Sequence, residues 1–353
     1  MEKLLIDLGP QSYYIYINGD LNITLGKYLK EGEKGVIITD DKLVSLYENK
    51  LREFSKGRKL QQIIIPQGEG SKNLRQVEAI LKQMLELGLN RKSKLVAFGG
   101  GVVGDIAGFC ASIYMRGLPF IQIPTSLLAQ VDSSVGGKTG VNFGGGKNMV
   151  GSFYQPQAVL IDSNSLKTLD RRELISGIGE VIKYGVIYDY DFLDFIGDNL
   201  GKILNLDESI LKIVIKRCCE IKAEIVSRDE RETGLRKILN FGHTLGHGIE
   251  SVSSYKKYNH GEAVIIGMYY ESLMANKLAY IKDDYCNKIL SILRKTGIFL
   301  DIKELPLQDL LTSMTRDKKN QGGDISFILP RGRGKVKEKL LSPEEAGKIL
   351  KAI

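Results

Sequence analysis

The sequence predicts a two-part chain: a mostly parallel α/β domain over residues 1–165, followed by an all-α domain over residues 166–353. Three observations carry this reading. Short β-branched runs alternate with helical stretches through the first half, the pattern of a parallel sheet covered on both faces. A glycine-rich turn follows one of those strands directly, at Gly99 to Gly104. Beyond Leu166 the strand signal gives way to long helix-compatible stretches. A length of 353 residues is also more than one core usually covers.

In chain order, residues 13–17, 36–39, 62–65, 94–98, 120–123 and 158–161 read as strands. Between them, residues 73–87 place Leu74, Val77, Ile80, Leu81, Met84 and Leu85 at helical spacing. The second half reads as helices at 191–200, 208–226, 263–278, 284–296 and 343–352. No flexible linker separates the halves, so two domains closing on a shared cleft are expected, the usual place for a ligand.

Composition narrows the function. No apolar run approaches the roughly 18 residues that cross a bilayer, and the start M-E-K-L-L-I-D lacks a signal-peptide pattern, so a cytoplasmic protein is expected. Cys110, Cys218, Cys219 and Cys286 show no C-x-x-C spacing and read as reduced thiols. The net charge of +8 is spread along the chain without a nucleic-acid-binding signature. A pocket for a small acidic substrate accounts for part of it, and solvated surfaces such as residues 331–339 for the rest.

The run Gly99-Gly-Gly101-Val-Val-Gly104-Asp105 matches G-x-G-x-x-G between a buried-type strand and a helix. Glycines let the backbone approach a pyrophosphate, and the helix N-terminus favours its charge, so a dinucleotide is the expected ligand. No acidic residue closes the next strand; Asp40 and Glu69, upstream, are the candidates for the ribose. Residues 124–153 are dense in Gly, Lys, Ser and Thr but fail the P-loop spacing, since Asp132 and Val141 stand where glycine is needed. They read as a polar loop in which Asp132, Lys138, Lys147 and Asn148 suit a phosphorylated, hydroxylated small molecule.

The chain's three histidines are His243, His247 and His260. His243 and His247, at i and i+4, share a helix face. Either all three grip a metal, with Glu250 or Glu262 carrying protons, or a carboxylate such as Glu180 takes one position. Glu180 and Lys183 lie one turn apart among Gly177, Gly179 and Gly185, which would let another backbone come close.

Long ordered runs then resemble one family, 3-dehydroquinate synthase. They include G-E-G-S-K from Gly68, G-G-G-V-V-G-D-I-A-G-F, P-T-S-L-L-A-Q-V-D-S-S-V-G-G-K-T-G-V-N, G-E-V-I-K-Y-G, E-T-G-L-R-K-I-L-N-F-G-H-T-L-G-H, H-G-E-A-V and R-D-K-K from Arg316. The resemblance implies a Rossmann-like domain binding NAD, a helical domain holding zinc or cobalt, and a cytoplasmic homodimer. The implied substrate is a phosphorylated sugar acid, 3-deoxy-D-arabino-heptulosonate 7-phosphate. Transient oxidation by NAD, phosphate elimination, re-reduction, ring opening and an intramolecular aldol step would then give 3-dehydroquinate. Carried over by motif, Glu180, His243 and His260 would hold the metal, and His247, Lys183, Asp132 and Glu232 would be catalytic. NAD would meet Asp40, Glu69, Lys72, Gly100, Gly101, Asp105, Thr125, Ser126, Lys138 and Lys147. The substrate would meet Asp132, Lys138, Asn148, Lys183, Lys222, Arg236, Asn240, His247 and Lys318 or Lys319, with Arg116 reaching a neighbouring subunit's site. Ser126 and Gly179 stand where the family commonly has threonine and alanine.

Overall fold

The computed structural model describes residues 1–253, 257–315 and 323–353. The chain divides into two compact units, Met1–Asp170 with Leu211–Arg231, and Arg171–Ile210 with Glu232–Ile353. The boundary thus falls at 170 rather than 165. Nearly all of the helix Glu208–Arg228 belongs to the first unit, although its sequence texture is that of the helical half.

The strands of the first unit are β1 (Glu2–Ile6), β2 (Tyr13–Ile17), β3 (Lys34–Asp40), β4 (Lys59–Ile65), β5 (Lys94–Gly99), β6 (Phe120–Pro124), β7 (Lys138–Phe143), β8 (Gly146–Phe153) and β9 (Ala158–Ile161). Seven form one sheet in the order β1-β2-β9-β6-β5-β3-β4, parallel except for the antiparallel edge pair β1 and β2. Central strands such as β5 and β9 are continuous apolar runs because both their faces are covered. Alternation sorts the side chains: Val36 and Ile38 join Val77 and Ile80 on one face, while Ile37 joins Leu51 and Phe54 on the other. Edge strand β4 instead buries only Leu60, Ile63 and Ile65 and leaves its other residues exposed.

The connection from β3 runs outward to β4, whereas the chain leaves β5 toward β6 on the opposite side. That reversal makes β3 and β5 the switch point of the sheet, and an open parallel sheet binds its ligand outside the carboxyl ends of such a pair. Asp40 ends β3, and Gly99 ends β5.

Residues 124–153 are not an irregular polar loop. A π-helical turn at Ala129–Ser133 leads into the antiparallel hairpin of β7 and β8. Its turn residues Gly144 and Gly145, at φ +60° and +82°, have the left-handed geometry of a two-residue hairpin. The Gly-Gly pair was the available signal, hidden among neighbouring glycines.

The second unit is helical, built from Arg171–Ile187, Tyr190–Leu204, His243–Val252, His260–Lys277, Asp283–Arg294, Leu307–Thr315 and Pro343–Lys351. The all-α expectation needs one addition, the hairpin of β10 (Ile325–Gly332) and β11 (Lys335–Leu341). Residues 331–339, read as a solvated surface, form the end of β10, the turn and most of β11; Lys335 and Lys337 face solvent there and mask the strand pattern. Among the described residues no helix is long and apolar enough to cross a membrane. All four cysteines are buried free thiols. Burial pushes Cys110 and Cys219 up to about 12, so neither is a thiolate near neutral pH.

The hairpin lies on the helix Gly101–Ile113, where Gly108 leaves room for Thr139; a Cβ at 108 would overlap the Thr139 methyl and come 3.3 Å from the Phe120 ring. Gly108→Ala should cost about 1–3 kcal/mol by overpacking, read as a lower denaturant midpoint. An unchanged midpoint would refute this tight packing.

Candidate active site

In the first unit, β5 delivers the chain to Gly100, which caps the helix Gly101–Ile113 without a side chain and with no acidic residue in the first turn. A Cβ at Gly100 would come 3.3 Å from Ser126 Oγ, and one at Gly101 3.1 Å from Ser133 Oγ. The glycines therefore keep a narrow cradle open beside helix amides, the arrangement that accepts a pyrophosphate. Thr125 N donates to Gly99 O at 3.0 Å, and Ser126 Oγ accepts from Ala129 N at 3.3 Å, so both follow the cradle's outline. Asp40, across the switch point, accepts from Leu43 N at 2.9 Å as the cap of the next helix, and burial raises its carboxyl pKa.

Around this cradle the predicted polar residues form linked pairs. Lys72 Nζ meets Asp105 Oδ2 at 2.5 Å with little exposure of either. Burial works to lower the Lys72 pKa, but the carboxylates of Asp105 and Glu69 raise it on balance. Burial likewise raises the Asp105 carboxyl against the pull of Lys72. Glu69 Oε1 accepts from Asn142 Nδ2 at 2.7 Å, and Asn142 Oδ1 accepts from Asn148 N at 2.9 Å, tying the hairpin to the G-E-G-S-K turn. Lys222 Nζ donates to both the carbonyl and the carboxylate of Asp132, each at 2.6 Å. These bonds, with Cys219 Sγ 3.3 Å from Gln130 O, tie the helix carrying Lys222 to the π-helical turn of the same unit. Lys138 is exposed on β7, and Lys147 is half-buried on β8. Arg116 is not at the cradle: it follows the far end of a 13-residue helix, about 20 Å from Gly101. It sits at φ +67° after Met115 at +48°, an exposed strained turn.

In the second unit, three helices converge through glycines. A Cβ at Gly261 would overlap Ser176, and one at Gly179 would lie 2.9 Å from Ile265 and 3.2 Å from Gly261 O. Arg171–Ile187 therefore lies backbone against backbone on the start of His260–Lys277, bringing Glu180 to His260. Similarly a Cβ at Gly267 would overlap the Gly242 carbonyl, and one at Gly246 would lie 3.1 Å from Ala263 O, which brings in His243.

As a result one ligand atom each from Glu180, His243 and His260 lies within 4.8 Å of the others. Glu180 is fully buried, and neither of its oxygens receives a hydrogen bond from the described residues. Its neighbours are the Lys183 ammonium, in contact with Oε2, and His243 Nε2, 3.6 Å from Oε1. A buried carboxylate facing imidazole nitrogens fits a divalent cation such as zinc. Both imidazoles are held by their far nitrogens. His243 Nδ1 lies 3.1 Å from Phe241 O, and His260 Nδ1 lies 3.2 Å from Glu250 Oε2, contacts that orient both rings.

The His247 ring stands 5.6 Å from that of His243 and 5.9 Å from that of His260. Among the described residues the three histidines do not by themselves make a ligand set; His247 groups instead with Glu250 and His260. Glu262 closes a capping box with Asn259 and takes two 2.7 Å hydrogen bonds from Arg172. Arg236 is buried, and Asn240 Nδ2 donates to Glu232 Oε1 at 2.7 Å, so three predicted residues gather just before His243. Lys318 and Lys319 lie outside the described residues. Sequence reasoning missed Glu271, which accepts from Gly242 N at 2.7 Å and Leu245 N at 3.3 Å.

The family model described as 3-dehydroquinate synthase N-terminal matches residues 62–176, and its C-terminal counterpart matches 177–320. The chain is 59% identical over 350 residues to a 3-dehydroquinate synthase of Alkaliphilus metalliredigens, covering 99% of this chain and 98% of that one. Among solved structures it is similar to a 2-deoxy-scyllo-inosose synthase complexed with carbaglucose-6-phosphate, NAD+ and Co2+, with TM-score 0.91, 25% identity and coverage of 99% and 100%. It is also similar to the 2-epi-5-epi-valiolone synthase of Streptomyces hygroscopicus with NAD+ and Zn2+ bound, with TM-score 0.88, 26% identity and 96% coverage of each chain.

Lys72→Met would leave the Asp105 carboxylate buried without its counter-charge, at a cost of about 3 kcal/mol in denaturant unfolding. Lys72→Met combined with Asp105→Leu should recover most of that loss, and a double variant no better than the single one would refute the coupling.

Proposed function

The chain belongs to the 3-dehydroquinate synthase family, and from that premise we propose that it converts 3-deoxy-D-arabino-heptulosonate 7-phosphate to 3-dehydroquinate and phosphate. This is a carbon-oxygen lyase reaction and a step of the shikimate pathway. The observation that carries the reading is the convergence of Glu180, His243 and His260 in a chain similar to these synthases along its whole length.

When bound, NAD supplies a hydride acceptor that is regenerated each turn, and zinc or cobalt supplies a Lewis acid for the substrate's hydroxyls. The chain's own groups do the rest. Gly100, Gly101, Thr125 and Ser126 would outline the pyrophosphate cradle, with Lys72 and Asp105 set firmly beside it and Asp40 and Glu69 toward the ribose. Glu180, His243 and His260 would hold the metal, their orientation fixed by Lys183, Phe241 O and Glu250. His247, near both metal-ligand imidazoles but outside that set, suits a proton carrier. In the first unit Lys222 and Asn148, with Lys138 and Lys147, and in the second unit Lys183, Arg236 and Asn240 are the groups suited to a substrate's anionic ends. Asp132 would steady Lys222, and Glu232 would steady Asn240. The strained, exposed turn that carries Arg116, remote from its own cradle, supports its use at a neighbouring subunit's site in a cytoplasmic homodimer; a two-chain mass in sedimentation tests that assembly.

A cyclase of the 2-deoxy-scyllo-inosose or valiolone type is the second reading, because the chain is similar to a 2-deoxy-scyllo-inosose synthase and a 2-epi-5-epi-valiolone synthase. The guanidinium of Arg236, buried in the second unit beside Asn240, favours an acidic substrate.

With the heptulosonate phosphate, zinc and NAD at one tenth of the substrate concentration, phosphate release should go to completion without net NADH. NADH accumulating in proportion to NAD without phosphate release would point to a dehydrogenase, and release from a neutral aldose phosphate alone would favour the second reading. His247→Ala should keep one metal per chain and lose about 10²-fold or more in kcat. An unchanged kcat would remove His247 from the chemistry.

A further inference from the structure

We infer that Glu271 is a positioning residue that sets the metal geometry by clamping the helix bearing His243 and His247 onto the helix bearing His260. The inference rests on the reading of Glu180, His243 and His260 as metal ligands. The helix His243–Val252 begins at Gly242, which sits at φ +78° and offers no side-chain cap. A helix start exposes up to four unsatisfied amides, normally met by a Ser, Thr, Asp or Asn side chain at the cap. Here the acceptor comes from another helix. Glu271 Oε2 takes the Gly242 amide at 2.7 Å and Oε1 the Leu245 amide at 3.3 Å, so one carboxylate straddles the cap and the third helical position. A negative charge at that end also complements the helix dipole.

Glu271 is fully buried and lies in the same helix as His260, at i+11. Eleven residues are three turns, so both side chains leave the same face of that helix. One helix thus supplies a metal ligand at its first turn and, three turns on, the group that fixes where the neighbouring helix begins. Between them the helices touch backbone to backbone, at Gly267 against Gly242 and at Gly246 against Ala263. Contacts that close have little slack, yet they determine separation more than sliding. The clamp supplies the missing constraint along the helix. His243 is the first residue after the clamped Gly242, and its ring is tied to Phe241 O immediately before it. A shift of the helix start would move this ligand directly while leaving Glu180 and His260 in place.

Cobalt titration of the full chain tests this, read by equilibrium binding and by the visible absorption of the bound ion. Glu271→Gln preserves shape and one acceptor oxygen but turns an amide donor toward the second N–H. It should weaken Co2+ binding 10- to 100-fold, the effect usual for groups that orient metal ligands, and alter the position or intensity of the absorption bands. Glu271→Ala should lose more, and where it fails to fold the glutamine variant decides. Variants that lose thermal stability but bind Co2+ with wild-type affinity and spectrum would overturn the inference, leaving Glu271 a structural cap. A wild-type chain that binds no stoichiometric Co2+ would instead refute the metal reading, an outcome visible in the wild-type titration alone.

Discussion

The carboxylate of Glu180, removed from water and reached by no hydrogen bond from the described residues, is the charge on which the second unit depends. An ionised carboxylate in such a place costs several kcal/mol unless positive charge answers it closely. Lys183 supplies one cation from the next turn of the same helix, and two imidazole nitrogens face the same point from other helices. A divalent ion would answer the carboxylate and both imidazoles at once, which supports the proposal of a metal centre at Glu180, His243 and His260.

Bringing three helices to one point requires that their backbones approach more closely than side chains allow. Gly261 against Ser176 and Gly267 against Gly242 are such contacts, and each would be blocked by a single methyl group. Gly179 shows the same constraint. A Cβ there would come 2.9 Å from the Ile265 side chain and 3.2 Å from Gly261 O, in the turn that carries Glu180.

Much of the fold was legible because its signals are local. Alternation of strand and helix, continuous apolar runs such as β5, and helical periodicity across residues 74–86 depend on nearby residues and on burial. The missed elements had weak local signals. The glycines of β7 and β8 and the lysines of β11 hide their strand patterns, because a hairpin is specified as much by its cross-strand partner as by its own residues. The site divides similarly. The histidine cluster is visible in sequence, but the choice between His247 and Glu180 as ligand depends on a helix more than 60 positions away. Glu271 acts through contacts across a helix pair and carries no motif, and the sequence texture around Lys222 gives no sign of its bonds to Asp132.

The central claim is the identity of the metal ligands. X-ray absorption of the zinc-loaded chain should show a low-coordinate site of nitrogen and oxygen neighbours at about 2.0–2.2 Å, with the outer-shell scattering of two imidazoles. Scattering from three imidazoles, or a sulfur neighbour at about 2.3 Å, would contradict the account.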